Sequence, residues 1–176
     1  MTLLVIDTQK GITDSRLYGF ETLRANIKAL IARAREEGVE VIYVRHDDGP
    51  GTGFSVGDDE FQIKEEFAPL EGERIFDKRV NSALHPSVGL SACLAEKGEK
   101  RLMVVGLQTD FCIDATIKSG FDLGYEMIVP EGTNSTFDNA YLDQGTAWRF
   151  FNEYVWPGRY ARCVPMEEAL ALLAGA

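Results

Sequence analysis

The chain has 176 residues, 45% of them apolar, a size that fits one compact domain over residues 1–176 and argues against a second. Its 18 basic and 28 acidic residues leave a net charge of −10, which repels phosphate backbones and anionic membrane surfaces, so neither nucleic acid nor a membrane is an expected partner. No basic leader and no long apolar run is present, and the three cysteines fall in no paired spacing, so a soluble, unexported, cytoplasmic protein with reduced thiols is predicted.

Leu3 to Ile6 is a continuous apolar run that ends at Asp7, as in a strand buried on both faces. A polar turn follows to Phe20, and Leu23, Ile27, Leu30, Ile31 and Ala34 then recur at helical spacing between Glu21 and Glu37, with Gly38 as C-cap. Val39 to Val44 is a second strand. Residues 45–73, rich in glycine and acidic side chains, read as a long loop over the sheet with a short helix near Phe61 to Phe67, and a lid is the expected role. Arg74 to Phe76 leads into Asp77-Lys78. A helix over Val88 to Lys97, a strand over Arg101 to Val105, a helix over Cys112 to Leu123 and a strand over Glu126 to Val129 come next. A helix from about Asp138 to Tyr154, a strand over Arg162 to Val164 and a helix over Met166 to Leu173 close the pattern. Repeated β-α-β units imply a three-layer α-β-α domain with a mostly parallel, Rossmann-like sheet.

Ligands of open parallel sheets bind beyond the carboxyl ends of the strands, which singles out Asp7, Lys78 and Cys112. Cys112 opens a helix that Thr109 or Asp110 can cap, and a thiolate gains about 0.3 to 2 kcal/mol from such a helix end. A Lys78 ammonium close to the sulfur would be the larger influence, on the order of 4 kcal/mol before desolvation. A carboxylate at Asp7 opposes thiolate formation, yet acyl transfer needs a group that takes and returns a proton. Each residue also has a plain structural reading: Cys93 and Cys163 as small buried hydrophobes, an Asp at a strand end as a turn residue, Asp77-Lys78-Arg79 as a solvated cluster.

Four stretches in order carry a resemblance: Leu3-Leu4-Val5-Ile6-Asp7-Thr8-Gln9; Val44-Arg45-His46; Asp77 to Ala83; and Val104 to Cys112, with Ala115-Thr116 and Gly124-Tyr125 after it. Together they resemble the isochorismatase-like cysteine hydrolase family, which includes nicotinamidases and other small amidases. The resemblance implies Asp7, Lys78 and Cys112 as a catalytic triad, a cis peptide before Gln108, and an oxyanion held by the backbone N–H groups of Gln108 and Cys112. It implies hydrolysis of a C–N bond in a small amide-like substrate through a thioester acyl-enzyme. It further implies no cofactor and a homo-oligomer, a dimer or tetramer.

Departures narrow this expectation. Nicotinamidases carry an Asp-x-His metal motif with further histidines, whereas only His46 and His85 occur here, so no metal is expected. True isochorismatases lack the nucleophilic cysteine. Leu84 and Glu131 stand where relatives often have Phe and Asp. Ile12 matches a pocket-lining position, and Trp148 is a second candidate for substrate contact; Tyr154 and Trp156 are candidates for the pocket or a subunit interface. Two rival readings are a Cys-His hydrolase using His46 or His85 as base, and a non-catalytic or redox-sensing domain of the same fold with a reactive Cys112.

Overall fold

The computed structural model describes residues 1–176. Five main strands form the body of a parallel sheet: β1 (Thr2–Ile6), β2 (Glu40–His46), β3 (Arg74–Lys78), β4 (Arg101–Leu107) and β5 (Glu126–Pro130). Two short strands, β6 (Asn134–Ser135) and β7 (Arg162–Val164), complete seven, in the order β3-β2-β1-β4-β5-β7 with β6 on β4. The domain is therefore the predicted three-layer α-β-α fold.

Side-chain alternation along the strands splits the core in two. Leu3, Val5, Val41, Tyr43, Met103 and Val105 face α1 (Phe20–Glu36) and α5 (Met166–Ala174), where Leu23, Ile27, Leu30 and Leu173 are buried. Leu4, Ile6, Ile42, Val44, Leu102 and Val104 face the other layer, built from α2 (Leu90–Glu96) and α3 (Asp114–Asp122) with Trp156. Both faces being covered explains why the central strands read as unbroken apolar runs.

The strand order reverses between β1 and β4, so a crevice opens beyond their carboxyl ends. Gly106 makes that junction possible. Its φ is +122°, and a Cβ there would come within 1.9 Å of the Ile6 carbonyl oxygen. β4 then continues to Leu107, past the predicted end at Val105, because β6 takes over as its neighbour at Gly106 and Leu107.

Several expectations need correction. The helix predicted from Asp138 begins instead with α4 (Gln144–Arg149) and continues as a wider turn over Phe150–Val155. The start shifts because Asp143 is the N-cap, its carboxylate accepting from the Thr146 N–H, while Asp138 and Asn139 close the preceding turn. Neither Thr109 nor Asp110 caps the helix at Cys112: the Thr109 hydroxyl donates to Asn134 Oδ1 and Asp110 accepts from Thr136, so both side chains tie the turn to β6. The segment 47–73 covers the site end of the sheet as predicted, but it is anchored, not loose. Lys10 and Gly11 N–H groups donate to Gln62 and Glu60 carbonyls, the Lys64 N–H donates to Thr8, and Phe61 and Phe67 are buried. No helix is long and apolar enough to cross a membrane.

Gly106→Ala is expected to cost more than about 4 kcal/mol, because it adds a backbone clash to a positive φ. Urea denaturation of the variant checks this; a loss below about 1 kcal/mol would mean that β1 and β4 can separate at Gly106 without cost.

Candidate active site

Four neighbouring strands, β3, β2, β1 and β4, each lead to one polar group at the crevice end of the sheet. Asp7 follows β1, with φ +53°, and is 1% exposed. Lys78 ends β3 at 2%, and Cys112 lies at 8% in the first turn after β4, which runs over Thr109–Ile113. His46 ends β2.

Lys78 joins them. Its Nζ donates to Asp7 Oδ2 at 2.8 Å and to Cys112 Sγ at 3.1 Å, and lies 3.0 Å from His46 Nδ1. An ammonium has only protons to give, so Nδ1 accepts, and the His46 ring proton sits on Nε2, which donates to Asp48 Oδ1 at 3.1 Å. Both His46 nitrogens are thereby engaged, and His46 has no lone pair left for the Cys112 proton. His85 caps the turn Pro86–Val88 through its Nδ1 and does not line the crevice. The arrangement favours neither histidine as base.

Ligand atoms of Asp7, His46 and Cys112 lie within 4.8 Å of one another. A metal ion does not fit among them as arranged, because the Lys78 ammonium already donates to an atom of each.

Burial sets the protonation. The Cys112 thiol is pushed up to about 12, chiefly by burial and by the Asp7 carboxylate, with Lys78 pulling only partly against them. The opposition expected from Asp7, together with burial, outweighs the pull of Lys78, and the sulfur rests as a thiol. Asp7 is also raised by burial, against the pull of Lys78. Its second oxygen, Oδ1, is buried without a hydrogen-bond partner, an acceptor held open beside the sulfur.

These groups open onto a cavity of about 450 Å³ whose walls include Ile12, Gln108 and Cys112. Ile12 therefore stands where it was expected. The peptide between Leu107 and Gln108 is cis, and Gln108 lines the same cavity. Trp148 does not line this cavity. It packs against Tyr18, ring centroids 5.5 Å apart, and walls a separate cleft with Asn26 and Met166. Trp156 is fully buried, its Nε1 donating to Asp114 Oδ1, whereas Tyr154 is exposed. Cys93 and Cys163 are half-buried rather than buried, and Arg74 donates to the Cys93 sulfur.

Four wall residues had not been singled out: Asp48, Phe54, Asn81 and Phe111. Asn81 and Phe111 lie inside two of the quoted stretches, and Asp48 directly follows His46-Asp47. Phe54 is the one aromatic in a glycine-rich stretch, a signal visible only once the loop is seen to fold back. The loop's root is fixed by Asp47, which accepts from Ser55, the Gly49 N–H and Arg79, and is held down at about 2. Gln9 fixes the other side, donating to the His46 and Phe61 carbonyls and accepting from the His46 N–H.

Residues 1–156 match the Isochorismatase domain family. A secreted isochorismatase effector of Verticillium dahliae is 28% identical over 73% of this chain and 69% of its own length. The ureidoacrylate amidohydrolase RutB of Klebsiella pneumoniae is 23% identical over 88% of this chain and 81% of its own. Among solved structures, an isochorismatase-family protein of Chromobacterium violaceum superposes with a TM-score of 0.91 at 26% identity, covering 99% of this chain and 94% of that one.

Asp7→Asn is expected to move thiol reactivity and the thiol's pKa in opposite senses to common intuition: removing the carboxylate charge lowers the Cys112 pKa, so alkylation by iodoacetamide at pH 8 should rise about tenfold. In the unaltered protein the rate should stay low up to pH 9 and climb toward pH 12. Mass spectrometry of the Cys112 peptide reads both, and slower labelling of the variant would contradict the resting thiol.

Proposed function

Because the chain belongs to the isochorismatase family of hydrolases, we propose that it is a cysteine hydrolase that cleaves the C–N bond of a small amide-like molecule through a thioester acyl-enzyme. The observation that carries this reading is the buried Lys78 ammonium, donating at once to Asp7 and Cys112, both of which line the cavity. RutB, named as an amidohydrolase, supports the amide class.

A thiol near 12 is not a standing nucleophile, so deprotonation must accompany attack. Asp7 is placed to do this: its Oδ1 is open, and burial has raised its basicity. The Cys112 proton passes to Asp7 while Sγ attacks the substrate carbonyl. Before the transfer Lys78 faces a carboxylate; after it, Lys78 faces the developing charge at sulfur. The net charge around the ammonium does not change, so no buried charge is left uncompensated. The Gln108 and Cys112 backbone N–H groups receive the oxyanion. Asp7 returns its proton to the departing ammonia or amine, leaving the thioester, and then takes a proton from the water that hydrolyses it.

Redox sensing is the weaker reading, since a peroxide sensor needs a thiolate and this site holds a thiol. The proposal retains a cytoplasmic, homo-oligomeric protein. Phe150 and Tyr154, exposed and stacked at 5.6 Å, offer an aromatic contact surface for a second copy.

Incubation with a panel of small amides, ureides and nicotinamide should release ammonia, and Cys112→Ala should abolish release by at least about a thousandfold. Acid quenching during turnover should trap a mass adduct on Cys112. Release that survives in Cys112→Ala, or Lys78→Ala with undiminished turnover, would sink the mechanism.

A further inference from the structure

Resting on the hydrolase reading, the inference concerns which molecules the cavity takes. The charged groups around it do not balance. Lys78 and Asp7 neutralise each other at the floor, and the Lys78 protons are all spent on Asp7, Cys112 and His46. Every other nearby cation is committed elsewhere: Arg79 to Asp47, Arg45 to Asp77, Lys10 to Asp59 and Glu65. Asp48 is different. It forms part of the cavity wall, its side chain is 53% exposed, and its only partner is the His46 ring N–H. Glu60 has no ion-pair partner, and its Oε2 lies 3.0 Å from the position a Cβ on Gly11 would take, as does the ring of Phe54, which does line the cavity.

Two aromatic side chains complete the wall. Phe54 is held edge-on against Phe61, and Phe111 is 55% exposed although it adjoins the nucleophile. Aromatic faces beside an uncompensated carboxylate suit a group that is both flat or apolar and positively charged. They oppose a carboxylate, which would find no free cation and would face Asp48 directly. The unpartnered Asp7 Oδ1 at the floor marks the end of the cavity where the reacting amide sits.

We infer that the cavity selects cationic amides, molecules whose amide reaches Cys112 while an ammonium or similar cation lies against Asp48, and that it discriminates against carboxylate-bearing amides. Asp48 is in this account a specificity determinant, not a participant in bond cleavage.

The test compares three amides of matched shape, the primary amides of para-(aminomethyl)-, para-methyl- and para-carboxybenzoic acid, by ammonia release. The cationic amide should exceed the neutral one in kcat/KM by roughly fivefold to tenfold, and the neutral one should exceed the anionic one by a similar factor. In Asp48→Asn, which keeps an oxygen for the His46 N–H, the cationic-to-neutral ratio should fall toward one. A carboxylate amide that equals or beats the others, or a ratio unmoved in Asp48→Asn, would overturn the inference.

Charge selection can be read without turnover. Modification of Cys112 by aminoethyl, methyl and sulfonatoethyl methanethiosulfonate, followed on the Cys112 peptide, should run fastest with the cationic reagent and slowest with the anionic one, and Asp48→Asn should compress the order. If none of the amides releases ammonia but this order holds, the hydrolase reading fails for these amides and the charge inference stands. If ammonia is released but neither series follows charge, the reverse is true.

Discussion

A cation buried at the carboxyl end of a sheet is costly, and the arrangement of this site follows from how that cost is met. The Lys78 ammonium is out of water, so each of its three protons needs an acceptor. Asp7, Cys112 and His46 supply them, one each, from β1, the turn after β4, and β2. Remove the ammonium and Asp7 becomes a buried, unpaired charge; remove Asp7 and the ammonium is stranded. The strands that bring the acceptors together are fixed in turn by the parallel register of β1 with β2 and β4, and by Gly106, where no side chain could stand.

The same constraint shapes the chemistry. Low local dielectric makes the thiol a poor acid, which looks unfavourable for a nucleophile. It also makes Asp7 a better base than an ordinary carboxylate, so the proton has somewhere to go over a short path. Asp7 and Cys112 shift one another, so a pH profile belongs to the pair and not to a single residue. Thr116 extends this unit outward: its hydroxyl donates to the Cys112 carbonyl and accepts from the Ala83 N–H, coupling the Cys112 turn to the stretch that carries Lys78.

Much of this was legible from the chain alone, for identifiable reasons. Strands buried on both faces leave continuous apolar runs, so β1, β2, β4 and β5 announce themselves, and Asp7, directly after the β1 run, marks the crevice. β6 was missed because it is two residues long and polar, Asn134-Ser135, and exists only because β4 overruns β5. The caps expected at Thr109 and Asp110 failed because those side chains found partners far along the sequence, Asn134 and Thr136, which local capping rules do not see. Trp148 lines a different cleft, where it packs on Tyr18, a partner far along the sequence. The resting protonation of Cys112 could not be read from sequence either, since it depends on burial at a depth set by all of these elements together.

The segment between β2 and β3 is pinned at two narrow points, by Asp47 with Arg79 at its root and by the Lys10 and Gly11 N–H groups where it returns. Two residues between those pins, Asp48 and Phe54, touch the cavity, while Asp7, Lys78 and Cys112 all lie outside the span. Part of the cavity wall is therefore carried on a stretch that can be exchanged, lengthened or recoded to suit a different molecule while the strand ends that carry Asp7 and Lys78 and the turn that carries Cys112 are left as they are.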